Sequence, residues 1–239
     1  MPHIFTNRPR LHDLTADRKD LKKQFRWETI NAIIYKLGGL VFIAGSILFF
    51  PALDAHRDLG CWIFFVGSVF YLIVTTHDLA EVRFNWKSMD AHDRWAKFEY
   101  SAALSYFWGT VLFTVGSIFF LSFVDLAIPG AWFFVLGSFL FVLGACINVL
   151  QIAKADTMLT LHLMNLTAVA FVVGSVLFTL ASIPYLWDFE SASDHLTLNK
   201  FMAWQYLIGS VLFFMGGVFN YWRAYVIIHR AISAEDKKF

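Results

Sequence analysis

The chain has 239 residues, 58% of them hydrophobic and 15% charged, with 27 Phe, 9 Trp and a formal net charge of +1. A soluble domain carries about 25% charged residues. Here nearly all the charges fall between apolar runs that are themselves almost charge-free, which excludes an ordinary soluble globule. No alternating strand pattern is present, which argues against a membrane β-barrel, and nothing beyond a basic rim suggests nucleic acid.

In chain order, residues 1–29 are polar and charged, without the apolar core of a secretory signal. They read as a cytoplasmic amphipathic N-terminal segment. Six apolar runs follow, at roughly 34–53, 59–79, 102–124, 131–152, 163–184 and 204–226, each long enough to cross a bilayer as a helix. The predicted fold is therefore an all-α integral membrane protein with six transmembrane helices. Seventeen of the 19 Lys and Arg lie before or at the start of the first run, up to Lys36, in the loops at 80–101 and 153–162, or at the C-terminal end from Arg223 on. Only Arg57 and Lys200 lie in the other loops. This asymmetry places both termini in the cytoplasm. The basic inner rim also suits contact with anionic lipid headgroups.

Gly-Ser occurs once per run: Gly45-Ser46, Gly67-Ser68, Gly116-Ser117, Gly137-Ser138, Gly174-Ser175 and Gly209-Ser210. Alternate copies are 71 and 58 residues apart in the odd helices and 70 and 72 apart in the even ones, so the unit is a two-helix hairpin. The expected organisation is hairpin 1 at 30–82, a cytoplasmic lead-in with hairpin 2 at 83–152, a divergent hairpin 3 at 153–229, and a cytoplasmic tail at 230–239. In the lead-ins Glu28 aligns with Glu99 and Tyr35 with Tyr106, whereas in the third unit this register puts Thr157 and Met164 at those places. Three parallel repeats fit a pseudo-threefold bundle or a flat row of hairpins.

Residues seven apart on a helix share a face to within about 20°. Gly45, Gly67, Gly116, Gly137, Gly174 and Gly209 thus belong to stripes of small residues, which let membrane helices approach closely. The neighbouring serine is expected to return its hydroxyl proton to a backbone carbonyl. Trp62, Trp132 and Trp204, five residues before a glycine, point away from the stripe as interfacial anchors.

Eleven residues past the even-helix glycines stand Asp78, Asn148 and Asn220, with His77 and Glu81 beside the first. Polar groups inside spans are costly and face the bundle interior. This set reads either as a hydrogen-bonded plug or as an ion or proton site at the cytoplasmic end. His77, Asp90, His92 and Asp93 have no recognised metal-ligand spacing, so no metal is assigned. A haem between His77 and His162 is the weaker alternative, and no cofactor is assigned. Glu28 and Glu99 suit ion pairs, with Arg94 or Lys97 for example, in lead-in helices lying in the inner interface. Cys61 and Cys146 fall toward opposite membrane faces, too far apart to pair, and read as packing residues. No catalytic fingerprint is present.

The runs "INAIIYKLGGLVFIAGSILFFPAL" and "LGCWIFFVGSVFYLIVTTHDLAEV" resemble the YrhK-like domain, best over 30–82, again over 100–152, and fading over 160–230. A weaker similarity is to the HdeD-like acid-stress family. The YrhK-like resemblance implies a small bacterial inner-membrane protein built on a two-helix hairpin, and it implies no catalytic residues. The expected function is a non-enzymatic scaffold or stress-related module acting through membrane lipids, further copies of itself or another membrane protein. The alternative is a small transporter or channel gated near Asp78, Asn148 and Asn220.

Overall fold

The computed structural model describes residues 21–86, 94–150, 157–187 and 191–236. These form six helices: α1 (Leu21–Leu48), α2 (Arg57–Trp86), α3 (Arg94–Phe119), α4 (Ala127–Leu150), α5 (Met158–Ser182) and α6 (Ala192–Asp236). No strand occurs among the described residues. All six are long and apolar enough to cross a membrane. Short 3₁₀ turns at Pro51–His56 and Ile183–Leu186 follow α1 and α5, where a proline stands and cannot continue the α-helical ladder. Pro129 sits in the first turn of α4, where no intrahelical donor is lost. Asp125 takes a left-handed φ of 51° in the α3–α4 turn, a conformation that Asp tolerates. Thr157 caps α5 by accepting from Thr160 N at 3.2 Å.

Helices α1, α2, α3, α5 and α6 extend beyond the apolar runs at the end where α1 begins and α6 ends, called here the terminal end. The lead-ins to α1 and α3 continue straight into them rather than lying apart as interface helices. The stretch around Asn31 and Tyr35 contains no helix breaker, and both residues are buried against other helices. Continuing the helix there satisfies the backbone and buries that face together.

Each helix packs against its two neighbours in sequence, and α6 closes back on α1. The six therefore form a ring rather than a row. Its axis is filled by aromatic side chains in layers. Phe64, Phe134 and Tyr206 meet one another with centroids 5.7–6.4 Å apart. In the next layer Phe178 lies 6.2 Å from Phe42 and 5.6 Å from Phe113. Tyr71 stacks on Tyr35 at 4.6 Å, and Phe141 lies 6.1 Å from Phe213. Such pairs add about 0.5–1.5 kcal/mol each beyond the area they bury.

These layers correct the repeat register of α5. Phe42 and Phe113 each stand three residues before a Gly-Ser glycine, but their counterpart at the axis is Phe178, three residues before Ala181-Ser182. Gly174-Ser175 instead occupies the place of Gly38 and Gly109. Gly174 packs on the carbonyl of Gly209 as Gly109 does on that of Gly137. The true odd-helix spacings are 71 and 65 residues. The 58-residue reading slips by one heptad, and a heptad slip keeps the same helix face, so the motif alone could not expose it. In the corrected register Phe171 answers to Tyr35 and Tyr106, and Met164 to Glu28 and Glu99.

The glycines do more than bring backbones together. At Gly109–Gly137 and Gly174–Gly209 an added Cβ would meet the facing glycine's carbonyl at 2.9–3.2 Å. A glycine also serves as a socket for a ring: Phe64 lies over Gly45, Phe134 over Gly116, Phe178 over Gly209 and Phe42 over Gly67, with the virtual Cβ 2.5, 2.7, 2.7 and 3.2 Å from the ring. The serines divide by helix. Ser46, Ser117 and Ser175 donate to carbonyls four residues back at 2.7–2.8 Å. Ser210 faces Ser46 at 3.1 Å, while Ser68 and Ser138 are buried with no hydrogen-bond partner among the described residues.

Candidate functional site

At the terminal end the aromatic layers give way to a buried polar layer. The heptad stripe of each even helix runs Phe64–Tyr71–Asp78, Phe134–Phe141–Asn148 and Tyr206–Phe213–Asn220, so the helical period that delivers two rings to the axis delivers a polar group next. Asp78, Asn148 and Asn220 are 0%, 1% and 2% exposed. Asn148 Nδ2 donates to the Tyr106 hydroxyl at 3.3 Å, and its Oδ1 accepts nothing among the described residues. Asn220 Oδ1 accepts from Arg223 Nε at 3.3 Å.

The structure adds members that the sequence reading passed over. Arg223, counted there only as an orienting charge, is 3% exposed one turn beyond Asn220. Asn31 and Glu99 are buried toward the same end of the bundle, as is Glu81 of α2, which the sequence already set beside Asp78. The signal was available: Arg223 stands three residues past Asn220 as Glu81 does past Asp78. His77 does not join this group. Its side chain is exposed, as is that of His162, so the two face outward and not each other across the axis. Arg94 and Lys97 are exposed while Glu99 is buried. Asp90, His92 and Asp93, and the side chain of Glu28, lie outside the described residues. Among the described residues no three His, Cys, Asp or Glu side chains come together as a metal site.

Between this layer and the opposite, hairpin end, small cavities of about 10 Å³ lie on the axis among the described residues. One is lined by Ser68, Tyr71, Thr110 and the rings of Phe42, Phe113 and Phe178. Another, at the hairpin end, is lined by Arg57, Cys61, Ser117, Tyr185, Tyr206 and neighbouring rings. A space of this size holds about one water molecule. Cys61 is buried, with Sγ 3.7 Å from the Phe120 carbonyl, whereas Cys146 is exposed and is not the packing residue expected of it. At the hairpin end the Asp58 carboxylate accepts from both the backbone N–H and the hydroxyl of Ser122, tying α2 to the α3–α4 turn.

The three signature tryptophans face outward, 45–51% exposed, on the same helices whose glycines are sunk in the core. Compared with curated proteins and with solved structures, the chain matches none. The family comparison is positive twice: residues 25–82 and residues 96–152 each match the family described as YrhK-like protein. The two matched regions cover α1–α2 and α3–α4, the hairpins whose Phe42–Phe64 and Phe113–Phe134 sockets are built alike, and it is this tandem pair of hairpins that belongs to the YrhK-like family.

Proposed function

We propose that this protein is a multi-pass bacterial inner-membrane protein with both termini cytoplasmic, acting as a non-enzymatic module through contacts with lipid and with other membrane proteins. The observation that carries this reading is the closed axis. Three layers of rings occupy it, and the cavities between them among the described residues are near the volume of a single water, which leaves no room for a hydrated ion at those levels. The outer surface, by contrast, is apolar along the helices: Ile33, Leu40, Ile73, Phe139, Val169 and Ile208 are all exposed. Six long apolar helices and the uneven distribution of Lys and Arg support the membrane location and the orientation.

One observation favours the second reading, a transporter. A fully buried carboxylate, Asp78, shares the terminal-end layer with a buried arginine, and ionisable groups at such depth often mark ion or proton sites. Reconstitution into proteoliposomes decides between the two. The closed-axis reading expects no proton or cation flux above empty vesicles. Flux by the parent protein that is lost in Asp78→Asn would establish the transporter instead.

A further inference from the structure

The α1–α6 seam, where the ring closes, carries a feature absent from the two equivalent seams. Lys36 lies seven residues inside Thr29, where the apolar part of α1 begins, about 10 Å along the helix. Its ammonium sits over the ring of Tyr221 on α6, 4.5 Å from the centroid. No carboxylate of the described residues pairs with it. The Tyr221 hydroxyl in turn meets Thr29 Oγ1 at 3.1 Å. Toward the terminal end Phe25 stacks on Tyr221 and packs on Tyr225, whose ring lies 5.1 Å from His229. Arg26 and Arg230 are exposed on the same two helices.

The pseudo-threefold provides internal controls. The place of Lys36 is taken by Phe107 at the α2–α3 seam and by Val172 at the α4–α5 seam, and that of Tyr221 by Leu79 and Val149. At the α2–α3 seam Leu79 and Phe107 belong to one apolar cluster. A cation is thus retained at one seam where the fold accommodates apolar side chains twice. A lysine at this depth directs its stem along the apolar surface and its head toward the interface. There the ring below stabilises it from one side only.

We infer that the α1–α6 seam is a binding site for the headgroup phosphate of an anionic phospholipid. Lys36 supplies the charge and Tyr221 the platform, with Arg26 at the rim and the acyl chains lying along the exposed apolar faces of α1 and α6. The charge complementarity selects an anionic lipid over a zwitterionic one, and the depth of Lys36 selects a lipid over a soluble anion. This inference rests on the membrane reading above.

Native mass spectrometry of the full-length protein in detergent, with phosphatidylglycerol or phosphatidylcholine of identical chains, tests it. The parent should retain phosphatidylglycerol preferentially. Lys36→Met should weaken that retention about fivefold, the effect of one nearby lysine. Tyr221→Leu, which installs the residue type of the equivalent seam, should weaken it too, and Lys97→Gln should not. Circular dichroism confirms that each variant keeps its helices. Equal retention of the two lipids, equal retention by parent and Lys36→Met, or displacement by inorganic phosphate would overturn the site. Flotation with phosphatidylcholine vesicles separates the two readings: a protein that does not float refutes membrane residence itself, whereas one that floats without lipid preference refutes only the seam site.

Discussion

The ring-in-socket arrangement makes a quantitative prediction about two glycines of one hairpin. In Gly45→Ala the new Cβ would stand 2.5 Å from Phe64 Cδ2, about 0.9 Å short of an ordinary 3.4 Å contact. In Gly67→Ala the shortfall against Phe42 is about 0.2 Å. Phe64 cannot retreat, because it is fully buried with Phe42, Phe49 and Tyr206 at centroid distances of 4.9, 4.8 and 5.7 Å. Overpacking a full core costs about 1–3 kcal/mol, and replacing a helical glycine by alanine returns up to about 1 kcal/mol. Gly45→Ala should therefore be destabilised by about 1–2 kcal/mol, while in Gly67→Ala the two effects nearly cancel. For a chain of this length the first corresponds to a midpoint lowered by roughly 3–6 °C, read from the loss of helical circular dichroism on heating in detergent. Adding Phe64→Leu should recover part of the loss in Gly45→Ala, and should only destabilise Gly67→Ala. If the two alanine variants melt together, or if Phe64→Leu is equally harmful in both, the socket account fails and the glycines serve backbone approach alone.

The corrected register of α5 is testable through Ser182, which meets the Tyr206 hydroxyl at 2.9 Å in the core. A double-mutant cycle of Ser182→Ala with Tyr206→Phe should show a coupling of about 0.5–1.5 kcal/mol, whereas Ser175→Ala with Tyr206→Phe should be additive. Arg223→Met and Asn220→Leu should likewise couple, by about 1.5–3 kcal/mol for a hydrogen bond from a charged donor; additive effects would mean that the two side chains do not meet. In detergent, N-ethylmaleimide should label Cys146 readily and spare Cys61 until the bundle unfolds, because only the first is exposed. Equal labelling in the folded protein would contradict the packing of α2 against α3.

Much of the candidate site was legible before any coordinates. Asp78, Asn148 and Asn220 were selected by one spacing from three glycines, and all three are buried in the same layer. Arg223 was not, because a basic residue near a helix terminus reads as a surface charge unless the neighbouring turn is known to be buried. His77 is exposed while Asp78 is buried, since adjacent residues on a helix are rotated by about 100° and so face different surroundings.

What the sequence by itself determined is what local periodicity and polarity govern: six apolar helices, a hairpin unit, and which face of each helix carries glycine and which carries tryptophan. It could not choose between a row and a ring, because both bury the same stripes; only the contact of α6 with α1 decides that. Nor could it detect a slip of seven residues in α5, since two helical turns restore nearly the same face and leave the pattern intact. The tertiary structure settles that register because Phe178, and not Phe171, must meet Phe42 and Phe113 at one level of the axis. A helix face is a property of spacing along one chain, whereas height along a shared axis is a property of several helices packed together.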